Sequence, residues 1–99
     1  MIVRLAEAAR DDLRRIRSDG AATFGPERAA RYLRGMNGAF ARLSDFPKIG
    51  RARRTDPEVR VLTYGSHVII YLLEVDEILV LRVRHGREDW LRQLQDWTF

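Results

Sequence analysis

The sequence predicts an α+β fold in which an N-terminal β-strand and an antiparallel two-helix hairpin pack on a small antiparallel β-sheet, with a short C-terminal helix. Three observations lead there: apolar residues at helical spacing before residue 46, three strand-like runs after residue 58, and a last helical repeat near the end. At 99 residues, with 45% hydrophobic and 32% charged side chains, the chain has the length of a single domain spanning residues 1–99. A domain this small hides only about two-thirds of its unfolded surface, so an apolar patch left over calls for a partner.

Ile2-Val3-Arg4-Leu5 opens the chain as a β-prone segment, and Ala9, Leu13 and Ile16 then recur at helical spacing, predicting a helix from Ala6 to Asp19. Asp11 and Asp12 reach Arg14 and Arg15 within one turn, and Gly20 is the expected stop. Pro26, after Phe24-Gly25, suits the first turn of a second helix, where its missing N–H is not needed. In that helix Ala29, Leu33, Met36, Phe40 and Leu43 form one apolar stripe ending near Asp45. Two stripes joined by so short a link pack as an antiparallel hairpin. The opposite face carries Arg28, Arg31, Arg34 and Arg42 together with Gly35 and Gly38. Each glycine inside a helix costs roughly 0.8–1 kcal/mol relative to alanine. Either another chain approaches closely there, or the two glycines are tolerated at exposed positions.

Residues 46 to 57 read as a loop with Pro47, Gly50 and a basic cluster of Lys48, Arg51, Arg53 and Arg54. Val59 to Tyr64 is strand-like, and Gly65-Ser66 has the chemistry of a type II′ hairpin turn. His67 to Val75 is apolar on both faces and reads as a central strand. Asp76-Glu77 make the next turn. In Ile78 to His85, strict alternation puts Leu79, Leu81, Val83 and His85 on one face and Ile78, Val80, Arg82 and Arg84 on the other. With the hairpin on one face of the sheet, the other needs a cover, and Trp90, Leu94 and Trp97 supply one at helical spacing behind Glu88 and Asp89.

The net charge is +4, and among eighteen basic residues only Lys48 is lysine. Arginine pairs bidentately with carboxylate or phosphate, whereas a basic amine for catalysis would be lysine. The positive excess lies before residue 59, which fits either a solvated arginine-rich surface or an anionic partner. Without cysteine there is no disulfide and no thiolate, and two histidines alone leave no expectation of a metal site or cofactor. The apolar runs are too short to span a bilayer, and Met1 to Arg10 lack a signal-peptide core, so a cytoplasmic protein with no membrane contact is expected. Phosphate loops, G-x-S-x-G elbows and His/Glu metal spacings are missing from the sequence. Glu88-Asp89 point in different directions on a helix and read as an N-terminal feature rather than an acid–base dyad. His67 reads as a surface or edge residue. His85, flanked by Arg82, Arg84 and Arg87, reads either as a neutral proton acceptor or as a half-buried strand-end residue bonded to backbone.

The segments AEAARDDL (Ala6 to Leu13), FPKIGR (Phe46 to Arg51), YGSHVIIY (Tyr64 to Tyr71) and LRVRHGREDW (Leu81 to Trp90) resemble, in this order and spacing, the ParE branch of the RelE/ParE toxin family over nearly the whole chain. The resemblance implies the toxin of a bacterial type II toxin–antitoxin pair, with a helical hairpin on a small sheet. It implies as partner a ParD-like antitoxin, whose ribbon-helix-helix part dimerises on operator DNA while its C-terminal segment wraps the toxin. DNA reaches the complex only through that antitoxin. ParE-type toxins inhibit DNA gyrase, whereas RelE-type relatives cut mRNA on the ribosome.

Ribonuclease chemistry needs an acid or base at the 2′-hydroxyl and leaving oxygen, with cations about the phosphate. Arg60, Arg82 and His85 could supply part of such a site, but no tyrosine follows Tyr71, and the indoles of Trp90 and Trp97 cannot move protons. The expectation is a gyrase-binding toxin with no catalytic residues, the ribonuclease being the alternative and a basic nucleic-acid-binding module without toxicity a third. Antitoxin contacts are expected at Arg31, Gly35, Gly38, Arg42, Tyr71 and Arg82, and target contacts at Arg51, Arg53, Arg54, Trp90 and Trp97.

Overall fold

A computed structural model describes residues 1–94. In chain order it holds β1 (Ile2–Leu5), α1 (Glu7–Phe24), α2 (Pro26–Asp45), β2 (Arg51–Arg53), β3 (Val59–Tyr64), β4 (His67–Leu73), β5 (Glu77–His85) and α3 (Trp90–Gln93). The strands form one sheet in the order β1-β5-β4-β3-β2. The neighbouring pairs among β2, β3, β4 and β5 are antiparallel, and β1 lies parallel to β5. The sheet is therefore mixed: parallel neighbours need a long connection between them, and everything from α1 to β4 supplies it here.

Helix α1 runs through Gly20 rather than stopping there, because Ala21 and Ala22 sustain it and the glycine has a packing role. A Cβ on Gly20 would lie 3.3 Å from the Ala29 Cβ, so its absence lets the two helices approach. The hairpin breaks instead at Gly25, whose φ of 93° suits glycine and whose N–H reaches the Ala21 carbonyl, with Pro26 beginning α2.

Two corrections concern the strands. The expected loop from Phe46 to Pro57 contains β2, a fully exposed Arg-Ala-Arg edge with no apolar alternation to betray it. In β5 the expected strict alternation fails at a bulge: Arg82 pairs Ile70 while Val80 pairs Tyr71, leaving Leu81 as the extra residue. Ile78, Val80 and Val83 thus all enter the helix-side core, whereas Leu81 packs on the far side with Leu79 against it.

The core has two parts. Ala9, Met36, Ala39, Phe40 and Leu43 of the helices meet Ile69, Tyr71, Ile78, Val80 and Val83. Across the sheet Val59, Val61, Val68, Ile70 and Leu81 are covered by Trp90 and Leu94. Both faces of β4 are therefore buried, as its unbroken apolar run requires. Gly65, with φ 55°, and Ser66 join β3 to β4 through the expected two-residue turn. Trp97 lies outside the described residues.

Candidate functional site

The end of β1 leaves half of β5 without a neighbour on that side, and Asp12 of α1 fills the gap. Its carboxylate, 2% exposed, accepts the Val83 backbone N–H at 2.9 Å. It also takes a two-pronged bond from Arg82 at 2.8 and 2.9 Å and a second guanidinium, that of Arg84, at 3.3 Å. Arg84 in turn holds Glu88. The Arg82 guanidinium is pushed above its usual range chiefly by its hydrogen bonds to Asp12. The helical spacing pairs Asp12 with Arg15, and it does stand 3.7 Å from that guanidinium, but the buried partners are not visible from spacing. A usable signal was there: Asp12 sits on the same helical stripe as Ala9, Leu13 and Ile16, and a carboxylate facing a core requires a buried counter-charge.

A second cluster forms where α2 meets the β3–β4 hairpin. The Tyr32 hydroxyl lies 2.7 Å from His67 Nδ1, accepts the Ser66 N–H at 3.1 Å and reaches the Tyr64 carbonyl at 3.2 Å. His67 and His85 pair across β4 and β5, with ring centroids 5.3 Å apart. His67 is thus not a free surface residue. His85 keeps its backbone tie, accepting the Arg87 N–H on Nδ1 at 3.1 Å. These groups line a groove of about 810 Å³ between α1, α2 and the hairpin.

Burial first, and His85 second, hold the His67 imidazole below its usual range, against a smaller opposing pull from Glu88. A lowered folded value means that the unfolded chain takes up this proton first as pH falls. The group's contribution is then complete above about pH 6.5 and is lost on acidification through the lowered folded value. The urea midpoint of the wild type is expected to fall more between pH 7 and 5.5 than that of His67→Gln. Equal falls would remove His67 as the cause.

The residues singled out from the sequence are not brought to one place. Arg31, Arg42, Arg51, Arg53 and Arg54 are exposed, and Arg53 lies over the Trp90 ring at 5.8 Å. Trp90 itself is only 8% exposed, a core residue rather than a free contact. Tyr71 is wholly buried; its hydroxyl donates to the Pro47 carbonyl at 2.7 Å and accepts the Gly50 N–H at 3.0 Å, so it presents nothing to a partner. Arg60 donates to the carbonyls of Lys48 and Gly50.

Gly35 is corrected as well. A Cβ there would stand 1.8 Å from the Tyr64 hydroxyl, so the close approach comes from within the chain. At Gly38 a Cβ would meet nothing within 4 Å. Gly38→Ala is expected to stabilise by roughly 0.8–1 kcal/mol through helix propensity. Gly35→Ala forfeits the same gain to overpacking and is expected to lose about 1–3 kcal/mol. Chemical denaturation of the two variants side by side checks this; equal stabilisation would show that Tyr64 moves aside freely. Among the described residues, no group of three or more His, Asp or Glu side chains could hold a metal ion. No helix there is long and apolar enough to cross a membrane.

Comparison with known proteins accords with this architecture. Toxin ParE3 of Caulobacter vibrioides is 31% identical over 84 residues, 84% of either chain. Toxin ParE1 of Mycobacterium tuberculosis is 37% identical over 73 residues, 72% of this chain and 74% of its own. In fold, a chain from the chromosomal ParDE TA system of P. aeruginosa matches with a TM-score of 0.75 and 24% identity, over 86% of this chain and 95% of that one. The family model for the ParE toxin of the type II toxin–antitoxin system parDE matches residues 3–90, from β1 to the first residue of α3. By that match the chain belongs to the ParE toxin family of type II toxin–antitoxin systems.

Proposed function

We propose that this ParE toxin arrests growth by binding DNA gyrase, without cutting RNA, and that a ParD-like antitoxin silences it by wrapping its surface. The observation that carries the reading is how Arg60, Arg82 and His85 are spent. Arg60 is tied to the carbonyls of the loop before β2, Arg82 to Asp12, and His85 Nδ1 to the Arg87 amide. A ribonuclease needs its acid, base and cations to converge on one phosphate, and these three are held by separate parts of the fold. For the antitoxin, the reading draws on family membership and on the exposed Arg31, Gly38 and Arg42 of α2, which suit an acidic segment. The exposed Arg51, Arg53 and Arg54 are the surface assigned to the target. The antitoxin's ribbon-helix-helix dimer would carry the pair to operator DNA.

Induced expression of the wild type, His85→Ala and Arg60→Gln tests the mode of action. Growth arrest should persist in both variants, with no new 5′ ends on translated mRNA, and co-expression of the ParD-like protein should relieve it. Arrest abolished by His85→Ala in a folded variant, together with wild-type mRNA cleavage, would replace this reading by the ribonuclease.

A further inference from the structure

The groove between α1, α2 and the β3–β4 hairpin is lined by groups that the proposed target contact does not use. Its volume, about 810 Å³, falls among small-molecule sites, which run from about 300 to 1,000 Å³. Four rings follow one another along it, Tyr64, Tyr32, His67 and His85, with successive centroids 5.3, 5.5 and 5.3 Å apart. On the β5 side the charges are already matched, Arg84 lying between Asp12 and Glu88. On the α2 side Arg28 and Arg31, three residues apart and so neighbours on the helix surface, line the groove without an ion pair among the described residues. Asp19 of α1 lines the groove as well.

His85 decides what kind of ligand fits. With Nδ1 accepting the Arg87 N–H at 3.1 Å, the ring's N–H is placed on Nε2, which has a donor to offer. A metal ion needs a bare nitrogen, so this tautomer favours an oxygen or nitrogen acceptor instead. Rings to stack on, a donor and two free guanidinia together describe the recognition of an aromatic anion.

We propose that this groove binds a nucleoside phosphate, with its base against the Tyr32–His67 rings, an acceptor atom on His85 Nε2 and its phosphate between Arg28 and Arg31. A free mononucleotide and the terminal nucleotide of a strand share that chemistry. The site does not depend on the gyrase reading, which rests on other residues, although Arg31 would be shared with the antitoxin.

The test follows the His67 and His85 ring signals of the full chain by NMR during titration with adenosine 5′-monophosphate, adenosine, inorganic phosphate and a 5′-phosphorylated oligoadenylate. Adenosine monophosphate should move both rings and bind about tenfold or more tightly than adenosine or phosphate alone, the worth of one charged hydrogen bond or more. The exposed double variant Arg28→Gln/Arg31→Gln should erase the advantage of the monophosphate over adenosine while leaving adenosine binding intact. Tighter binding of the oligonucleotide would assign the site to a strand end, and equal binding to the free nucleotide. The proposal is overturned if millimolar monophosphate leaves the rings unmoved, if phosphate alone binds as well, or if only the antitoxin's segment moves them.

Discussion

Asp12→Ala is expected to destabilise the domain by roughly 3–5 kcal/mol, the range for breaking a buried ion pair from one side. The removed carboxylate leaves the Val83 N–H on an edge without its acceptor, and deprives Arg82 and Arg84 of their shared counter-charge. For a domain of this size each kcal/mol is worth about 4–8 °C, so the melting temperature should drop by at least about 12 °C. Asp12→Asn can still accept the Val83 bond but carries no charge, and should fall between the two. Urea unfolding of the three proteins gives the comparison. A loss below about 1 kcal/mol for the alanine variant would mean that the arginines find water or other acceptors at little cost.

Trp90→Ala is the second large effect, about 3–5 kcal/mol, the usual range for emptying a buried Trp site. The ring lies in the far-side cluster with Val59, Val61, Val68, Ile70, Leu81 and Leu94. A four-residue helix has no stability of its own to contribute there. Its loss should expose the far face of the sheet first. Hydrogen exchange should therefore accelerate in β3 before it does in α1 and β1. Uniform acceleration would show that the two clusters unfold as one unit. Toxicity lost in this variant would reflect unfolding, since Trp90 is inside the protein and not at its surface.

The fold was legible in the sequence where burial imposes a period. The α2 stripe, the two-sided apolar run of β4 and the Trp90/Leu94 repeat each match the face they bury. What escaped were features decided by neighbours distant in sequence. β2 exists because β3 offers it an edge, not because Arg51-Ala52-Arg53 prefers to be extended. The β5 bulge is invisible to strict alternation, which misassigned Val83 and His85 relative to Val80. Gly20 read as a stop because its partner, Ala29, lies on the next helix.

The candidate site divides in the same way. The exposed arginines could be named from composition and spacing, yet nothing local distinguishes Asp12 from Asp11 except its place on the apolar stripe. Gly35 looked like a surface oddity because the phenol of Tyr64, which fills the space beside it, arrives from a strand 29 positions away. Tyr71 and Trp90 carry side chains common at interfaces, and here the core has used both.

Direct titration of the purified toxin against DNA gyrase, read as supercoiling and as cleavage-complex level, tests the central claim most sharply. Supercoiling should fall as the toxin approaches stoichiometry and recover when the ParD-like antitoxin is added, with His85→Ala as potent as the wild type. Gyrase unaffected at stoichiometric excess, while the same preparation arrests growth, would contradict it.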